Sequence, residues 1–195
     1  MNKRIYTIED TNQMSWDEFG NVMDILSKKL SEYQKKQKIN FDIIAPILRS
    51  GMIPATVIAN KFRITKILPI QIKCIHTENG IVLKQLLAIP EILQETPKSP
   101  NILICENNTM TGNSAKKAIS LIKEKYPTAN IFYATVAKVY GGPISFNDVE
   151  EYFWGIRTNE MFKANSDEEK KLELRSKITI FPWESADDEL AAINS

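Results

Sequence analysis

Residues 101–114 read N-I-L-I-C-E-N-N-T-M-T-G-N-S, and their chemistry is that of an anion site. Residues 102–105 are apolar and have the length of a buried strand. A polar turn with one glycine follows, and residues 115–125 carry a helical pattern. Where a strand empties through such a turn into a helix, backbone N–H groups and the positive helix end converge on one point. Thr109, Thr111 and Ser114 supply short hydroxyls that fit between phosphate oxygens, and Gly112 permits close backbone approach. Glu106 and Asn107 fall at the strand's carboxyl end, the edge where open α/β sheets bind ligands. A carboxylate there can accept from a sugar hydroxyl or hold a hydrated divalent cation. The alternative is an ordinary polar loop whose Ser and Thr cap the helix. The stretch is neither a G-x-x-x-x-G-K phosphate loop nor a G-x-G-x-x-G dinucleotide fingerprint.

Leu48-Arg49-Ser50-Gly51 makes a second candidate. It separates an Ile-rich strand, 41–48, from a helical stretch, 52–61. A guanidinium at such a strand end can fork onto two oxygens of a diphosphate. Taken alone, Arg49 is equally well a surface arginine; two such loops at strand carboxyl ends in one chain strengthen each other.

The elements that must position these loops alternate between strand and helix. Ser15 and Glu18 form a capping box, and Phe19, Val22, Met23, Leu26 and Leu30 give the helix behind it one apolar face. The basic run 28–38 continues that helix on its solvated side. Residues 67–74 read as a strand, with Pro69 marking an edge or a beginning. Asn79-Gly80 signals a hairpin. Pro90, Pro97 and Pro100 follow in a connection long enough to serve as a mobile flap. His76, the single histidine, reads as an exposed loop residue. Residues 131–139 form a further strand, stopped by Gly141-Gly142-Pro143. The charged segment 148–177 contains Y-F-W at 152–154 and a short surface helix. Residues 178–181 make the last strand, and the acidic tail 185–195 is expected to fray. The pattern predicts an α/β protein with a parallel sheet flanked by helices.

Composition sets wide bounds. The 195 residues, 43% of them apolar, suit one domain. A net charge of +1 argues against nucleic acid or a membrane surface as main partner. Cys74 and Cys105 lie in apolar runs without metal-ligand spacing and read as buried free thiols. No apolar run approaches the ~20 residues of a membrane span, and residues 1–10 lack a signal core. The expectation is a cytoplasmic protein.

Four apolar residues, an acidic pair, three mixed residues and Thr-Gly-x-Thr/Ser make up the phosphoribosyl-diphosphate (PRPP) motif of type I phosphoribosyltransferases, which residues 102–114 resemble. The resemblance extends to S-W-x-E-F near the start, to F-D-x-I-x-x-I-x-R-S-G-M-I-P-A from Phe41, and to F-P-W-E ending at Glu184. Together these look like the purine-salvage branch, the xanthine-guanine and hypoxanthine phosphoribosyltransferases. The resemblance implies one domain over residues 1–184, with a small hood from about 144–184 plus N-terminal residues. It implies transfer of the phosphoribosyl group of PRPP to a nucleobase, with Mg²⁺ present, giving a nucleoside monophosphate and diphosphate. It also implies a homo-oligomer, dimer or tetramer.

By the same resemblance, Arg49, Ser50 and Gly51 match the diphosphate loop, where the family often has a non-proline cis bond before the basic residue. Glu106 and Asn107 match the acidic pair on the ribose hydroxyls and, with Arg49, the catalytic positions. Thr109, Met110, Thr111, Gly112, Asn113 and Ser114 match the 5′-phosphate loop. Lys138 matches the lysine that donates to the exocyclic oxygen of a 6-oxopurine, and Ile178 and Thr179 match the base contacts. Glu106 and Glu184 match the metal-side acids, Glu184 through water, and residues 76–94 match the flap. Three positions depart from the pattern. Asn107 replaces the second acid and brings no charge to Mg²⁺. Met110 replaces an aspartate that manages a base proton, which methionine cannot do. Ile178 stands where an aromatic ring usually stacks, a role open to Tyr152, Phe153 or Trp154. The leading expectation is a transferase. Its rivals are a binding or regulatory relative that senses PRPP or nucleotides, and an RNA-binding regulator, which the near-neutral charge disfavours.

Overall fold

In the computed structural model, which describes residues 4–77 and 80–194, a short strand, β1 (Thr11–Gln13), leads into helix α1 (Trp16–Gln37). The Ser15 hydroxyl accepts from the Glu18 N–H, and the Glu18 carboxylate accepts from the Ser15 N–H, so the predicted capping box forms. Its five predicted apolar residues are all buried. The chain continues through β2 (Ile43–Leu48), α2 (Met52–Phe62), β3 (Ile70–Thr77), β4 (Gly80–Gln85), β5 (Asn101–Thr109), α3 (Asn113–Lys125), β6 (Asn130–Val139) and β7 (Glu151–Thr158). It ends with α4 (Ser166–Lys171), β8 (Leu174–Arg175), β9 (Ile178–Ile180) and α5 (Ala186–Asn194).

The main sheet runs β4-β3-β2-β5-β6-β7-β8. Every neighbouring pair is parallel except β3 with β4. Helices α1 and α2 cover one face and α3 the other. This is the expected parallel sheet flanked by helices. Strands β2, β5 and β6 are enclosed on both faces, so they read as nearly unbroken apolar runs. β1 and β9 pair in parallel as a two-stranded sheet apart from the main one, at the position expected for the hood.

Several boundaries differ from the sequence reading. β5 does not stop at Cys105 but extends through the polar residues to Thr109. Tyr152, Phe153 and Trp154 lie on β7, a strand of the main sheet paired with β6, inside the segment that the sequence reading left as charged and without a strand. The tail is a helix, α5, held by the Asn194 amide, which donates to the Tyr6 carbonyl and accepts from its N–H, both at 2.9 Å. His76 has its backbone in β3 rather than in a loop, and its side chain, like that of Cys74, lies outside the described residues. Cys105 is buried and free, as expected. The hairpin of β3 and β4 forms, with Asn79 outside the described residues. The proline-rich stretch behind it lies along the body: Lys125 donates to the Ile89 carbonyl, and Ile89 and Ile92 pack on the core.

Helix α1 approaches β7 closely at Gly155. A Cβ there would lie 2.4 Å from Val22 Cγ1 and 2.9 Å from the Val136 carbonyl oxygen. Gly155→Ala is therefore expected to destabilise the protein by about 1–3 kcal/mol in urea unfolding, the usual cost of overpacking. An unchanged midpoint would contradict this packing.

Candidate functional site

The carboxyl ends of β2 and β5 meet at Gly51. A Cβ on that residue would lie 2.5 Å from both the Cys105 and the Ile47 carbonyl oxygens, so only glycine fits. The peptide bond Leu48–Arg49 is cis. Arg49 is exposed beside it, at the mouth of the turn. One strand over, β5 ends and α3 begins through Gly112, whose φ of +71° is left-handed backbone. A Cβ there would also lie 2.7 Å from the Phe146 ring and 2.8 Å from Pro143, so conformation and space both require glycine. Gly112 offers no side chain to cap α3 and the first turn carries no acid; the Asn113 N–H donates to the Thr111 hydroxyl at 3.5 Å, and the positive helix end faces Thr111 and Ser114. The predicted diphosphate and phosphate loops thus stand on adjacent strands of one sheet edge.

Glu184, just beyond β9, closes the site from the hood side. Its Oε1 accepts from Asn107 Nδ2 at 2.9 Å and its Oε2 from the Phe181 N–H at 3.0 Å. Ser50, in the turn after β2, lies close enough to this carboxylate to favour its charged form. Glu184 therefore ties the segment after β9 to β5. Burial pushes its pKa up to about 7, against the pull of the Phe181 N–H.

Glu106 points the other way. On the α3 side of the sheet its Oε2 accepts from the hydroxyl of Tyr133, a fully buried ring, and from Thr109 Oγ1 at 3.3 Å. Thr109 Oγ1 is also 2.8 Å from the Tyr133 hydroxyl oxygen. Burial raises the Glu106 pKa to about 7, and these two hydrogen bonds offset part of that rise. The hydroxyl of Thr109, expected at the phosphate, is in the core instead. Asn108 reaches from the same strand to Glu160, donating to Oε2 at 2.7 Å. Glu160 is buried, and burial raises its pKa against the hydrogen bond from Asn108, while its Oε1 and the Thr158 hydroxyl have no hydrogen-bond partner among the described residues.

The predicted base contacts fall on two sides. Ile178 and Thr179 are buried in the hood, with Thr179 turned to Glu160. Lys138 lies toward the α3 side, its Nζ 4.0 Å from the Trp154 ring centre and 4.7 Å from that of Tyr152. Tyr133 and Glu160 were not foreseen. Tyr133 carries a polar tip inside an apolar strand, which was a usable signal. Glu160 sits in a charged segment where sequence offers nothing to separate it from surface acids.

The sequence model of the phosphoribosyl transferase domain matches residues 15–170. A search of curated proteins finds no match. Among solved structures, the chain is similar to a purine phosphoribosyltransferase from Pyrococcus horikoshii Ot3, at 20% identity and a TM-score of 0.63, covering 90% of this chain and 95% of that one. A hypothetical protein from Neisseria gonorrhoeae with bound ppGpp is similar at 16% identity and a TM-score of 0.64, covering 94% and 95%. The xanthine-guanine-hypoxanthine phosphoribosyltransferase of Helicobacter pylori is similar at 14% identity and a TM-score of 0.60, covering 93% and 99%. At these identities the likeness is one of fold.

The raised acids make stability depend on pH. Unfolded, Glu106 releases its proton near its ordinary 4.5; folded, it holds it to about 7. Between these values the unfolded chain binds fewer protons, so stability falls as pH rises through the window. Urea unfolding from pH 4.5 to 8 is expected to show Glu106→Gln losing on the order of 2 kcal/mol less than wild type. Parallel pH profiles for the two proteins would rule out the buried acid.

Proposed function

Because the chain belongs to the phosphoribosyl transferase domain family, we propose that it transfers the phosphoribosyl group of PRPP to a nucleobase, a purine first among the candidates, with release of diphosphate. The observation that carries this reading is the joining of the Arg49–Gly51 turn, Asn107 and the open start of α3 at one sheet edge, under Glu184. In this reading the N–H groups at the start of α3, with Thr111 and Ser114, hold the 5′-phosphate. Arg49 and the Gly51 turn take the diphosphate that leaves. Asn107 faces the ribose hydroxyls, its amide direction fixed by the bond to Glu184. Glu106 joins it by turning away from Tyr133. Lys138, Ile178 and Thr179 are the candidate base contacts. The reaction displaces diphosphate at ribose C1′ with cationic character at the sugar, so the protein's part is positioning and electrostatics.

Mg²⁺ fits this donor set in one way. Among the described residues no three acidic, His or Cys side chains converge on a cation site. Magnesium commonly keeps several waters and is held by one or two carboxylates plus substrate phosphates. Glu184, and Glu106 once turned outward, would serve through water. The bound ion would neutralise charge on the departing diphosphate. We extend the proposal to a single domain whose hood is built from β1, β9 and the segment up to Glu184, and to a cytoplasmic homo-oligomer.

The test is diphosphate release from PRPP and Mg²⁺ with adenine, guanine, hypoxanthine, xanthine, uracil and orotate in turn. Release is expected with at least one purine, and Arg49→Ala is expected to weaken PRPP binding about tenfold or more, as for loss of a charged hydrogen bond. PRPP binding in calorimetry without release for any base would overturn the transferase reading in favour of a nucleotide-sensing protein.

A further inference from the structure

Lys138 on β6 and Arg157 on β7 are register partners, two cations facing each other across a parallel pair. Like charges opposed on neighbouring strands are destabilising. Among the described residues neither forms an ion pair with an acid, and the Coulombic influence resolved on Lys138 is that of Arg157. Lys138 is half-buried against Trp154, so it cannot relieve the repulsion by moving freely into solvent. Lys163 joins them at the rim of a cavity of about 620 Å³, with Tyr140 and Ile144 as further walls.

The third cation is held in place. Asn159 accepts from the Lys163 and Ala164 N–H groups, both at 3.0 Å, and donates to the Ala164 carbonyl at 2.9 Å. Three cations on fixed backbone, with no acid among them, form a site that gains stability when an anion enters. Lys138 already lies over Trp154, so the Tyr140 side and Ile144, 82% exposed, are the free apolar surfaces. Inorganic phosphate would use the cations alone; a ligand with a planar ring beside its phosphate would use both.

We infer that this cavity binds the phosphate of a nucleotide, as a second site separate from the loops at the ends of β2 and β5. The lining of the cavity includes none of Arg49, Ser50, Gly51, Glu106, Asn107 or Glu184 and no residue of the phosphate loop. Its Gly142 wall packs against that loop from outside, where a Cβ would lie 2.3 Å from the Met110 carbonyl oxygen. The site shares Lys138 with the candidate base contacts of the transferase reading; Arg157 and Lys163, on which its test rests, play no part in that reading.

Calorimetric titration with a purine nucleoside monophosphate, and separately with inorganic phosphate, tests it. Two classes of nucleotide site are expected in the wild type. Arg157→Gln with Lys163→Gln should weaken one class at least tenfold and leave the other, while Arg49→Ala should do the reverse. Lys163→Glu alone, on an exposed side chain, should abolish the same class and guards against misfolding of the double variant. Inorganic phosphate should bind that class more weakly than the nucleotide. A single class of site, or two classes that both survive the Arg157 and Lys163 substitutions, overturns the inference, as does equal binding of phosphate and nucleotide.

Discussion

Glu184 accepts from Asn107 with one carboxylate oxygen and from the Phe181 N–H with the other. Those bonds join β5 to the segment after β9. The hood otherwise touches this edge through apolar packing of Phe181 and Trp183, which fixes distance but not direction. Hydrogen bonds to a charged group contribute about 1.5–3 kcal/mol each, and they are directional. Backbone pairing of β2 with β5 sets the two loops beside each other, and one half-buried acid gives the segment after β9 its directional tie to them.

The opposite side of β5 holds a second acid under the same stress. Glu106 and Asn107 are consecutive on an extended strand, so their side chains leave on opposite faces. Asn107 meets the hood; Glu106 meets Tyr133 and Thr109 beneath the sheet edge. Both Glu106 and Glu184 have pKa values raised to about 7, so near neutrality each exchanges its proton readily. A ligand with positive character, or a cation on its diphosphate, would favour the charged form and draw Glu106 from Tyr133. In the proposed reading, substrate binding and the rotamer of Glu106 would be linked through charge.

Much of this architecture was legible in the sequence, where local chemistry decides the outcome. The capping box at Ser15, the strand–turn–helix units around Gly51 and Gly112, and the parallel sheet all follow from nearest neighbours and periodicity. What stayed hidden depends on distant partners. β7 was obscured because Glu150 precedes it, Glu151 opens it and Arg157 falls within it, although Tyr152 and Phe153 are buried. The tail holds its helix through Tyr6, at the other end of the chain. The direction of Glu106 is set by Tyr133, and that of Thr109 likewise, so a motif read as one phosphate loop is divided between site and core.

The same geometry gives a reason for the asparagine at 107. An aspartate there would set a second carboxylate at hydrogen-bond distance from Glu184, in a place that already raises the pKa of one acid. Two like charges so close cannot both ionise easily, and one would keep its proton. The asparagine amide replaces that repulsion with a donated hydrogen bond and requires no proton. Loss of the second acid and clamping of the hood are then one structural choice. In the proposed transferase, a charge that would otherwise face the metal is exchanged for a fixed position of Glu184, and this edge would draw on placement more than on local negative charge.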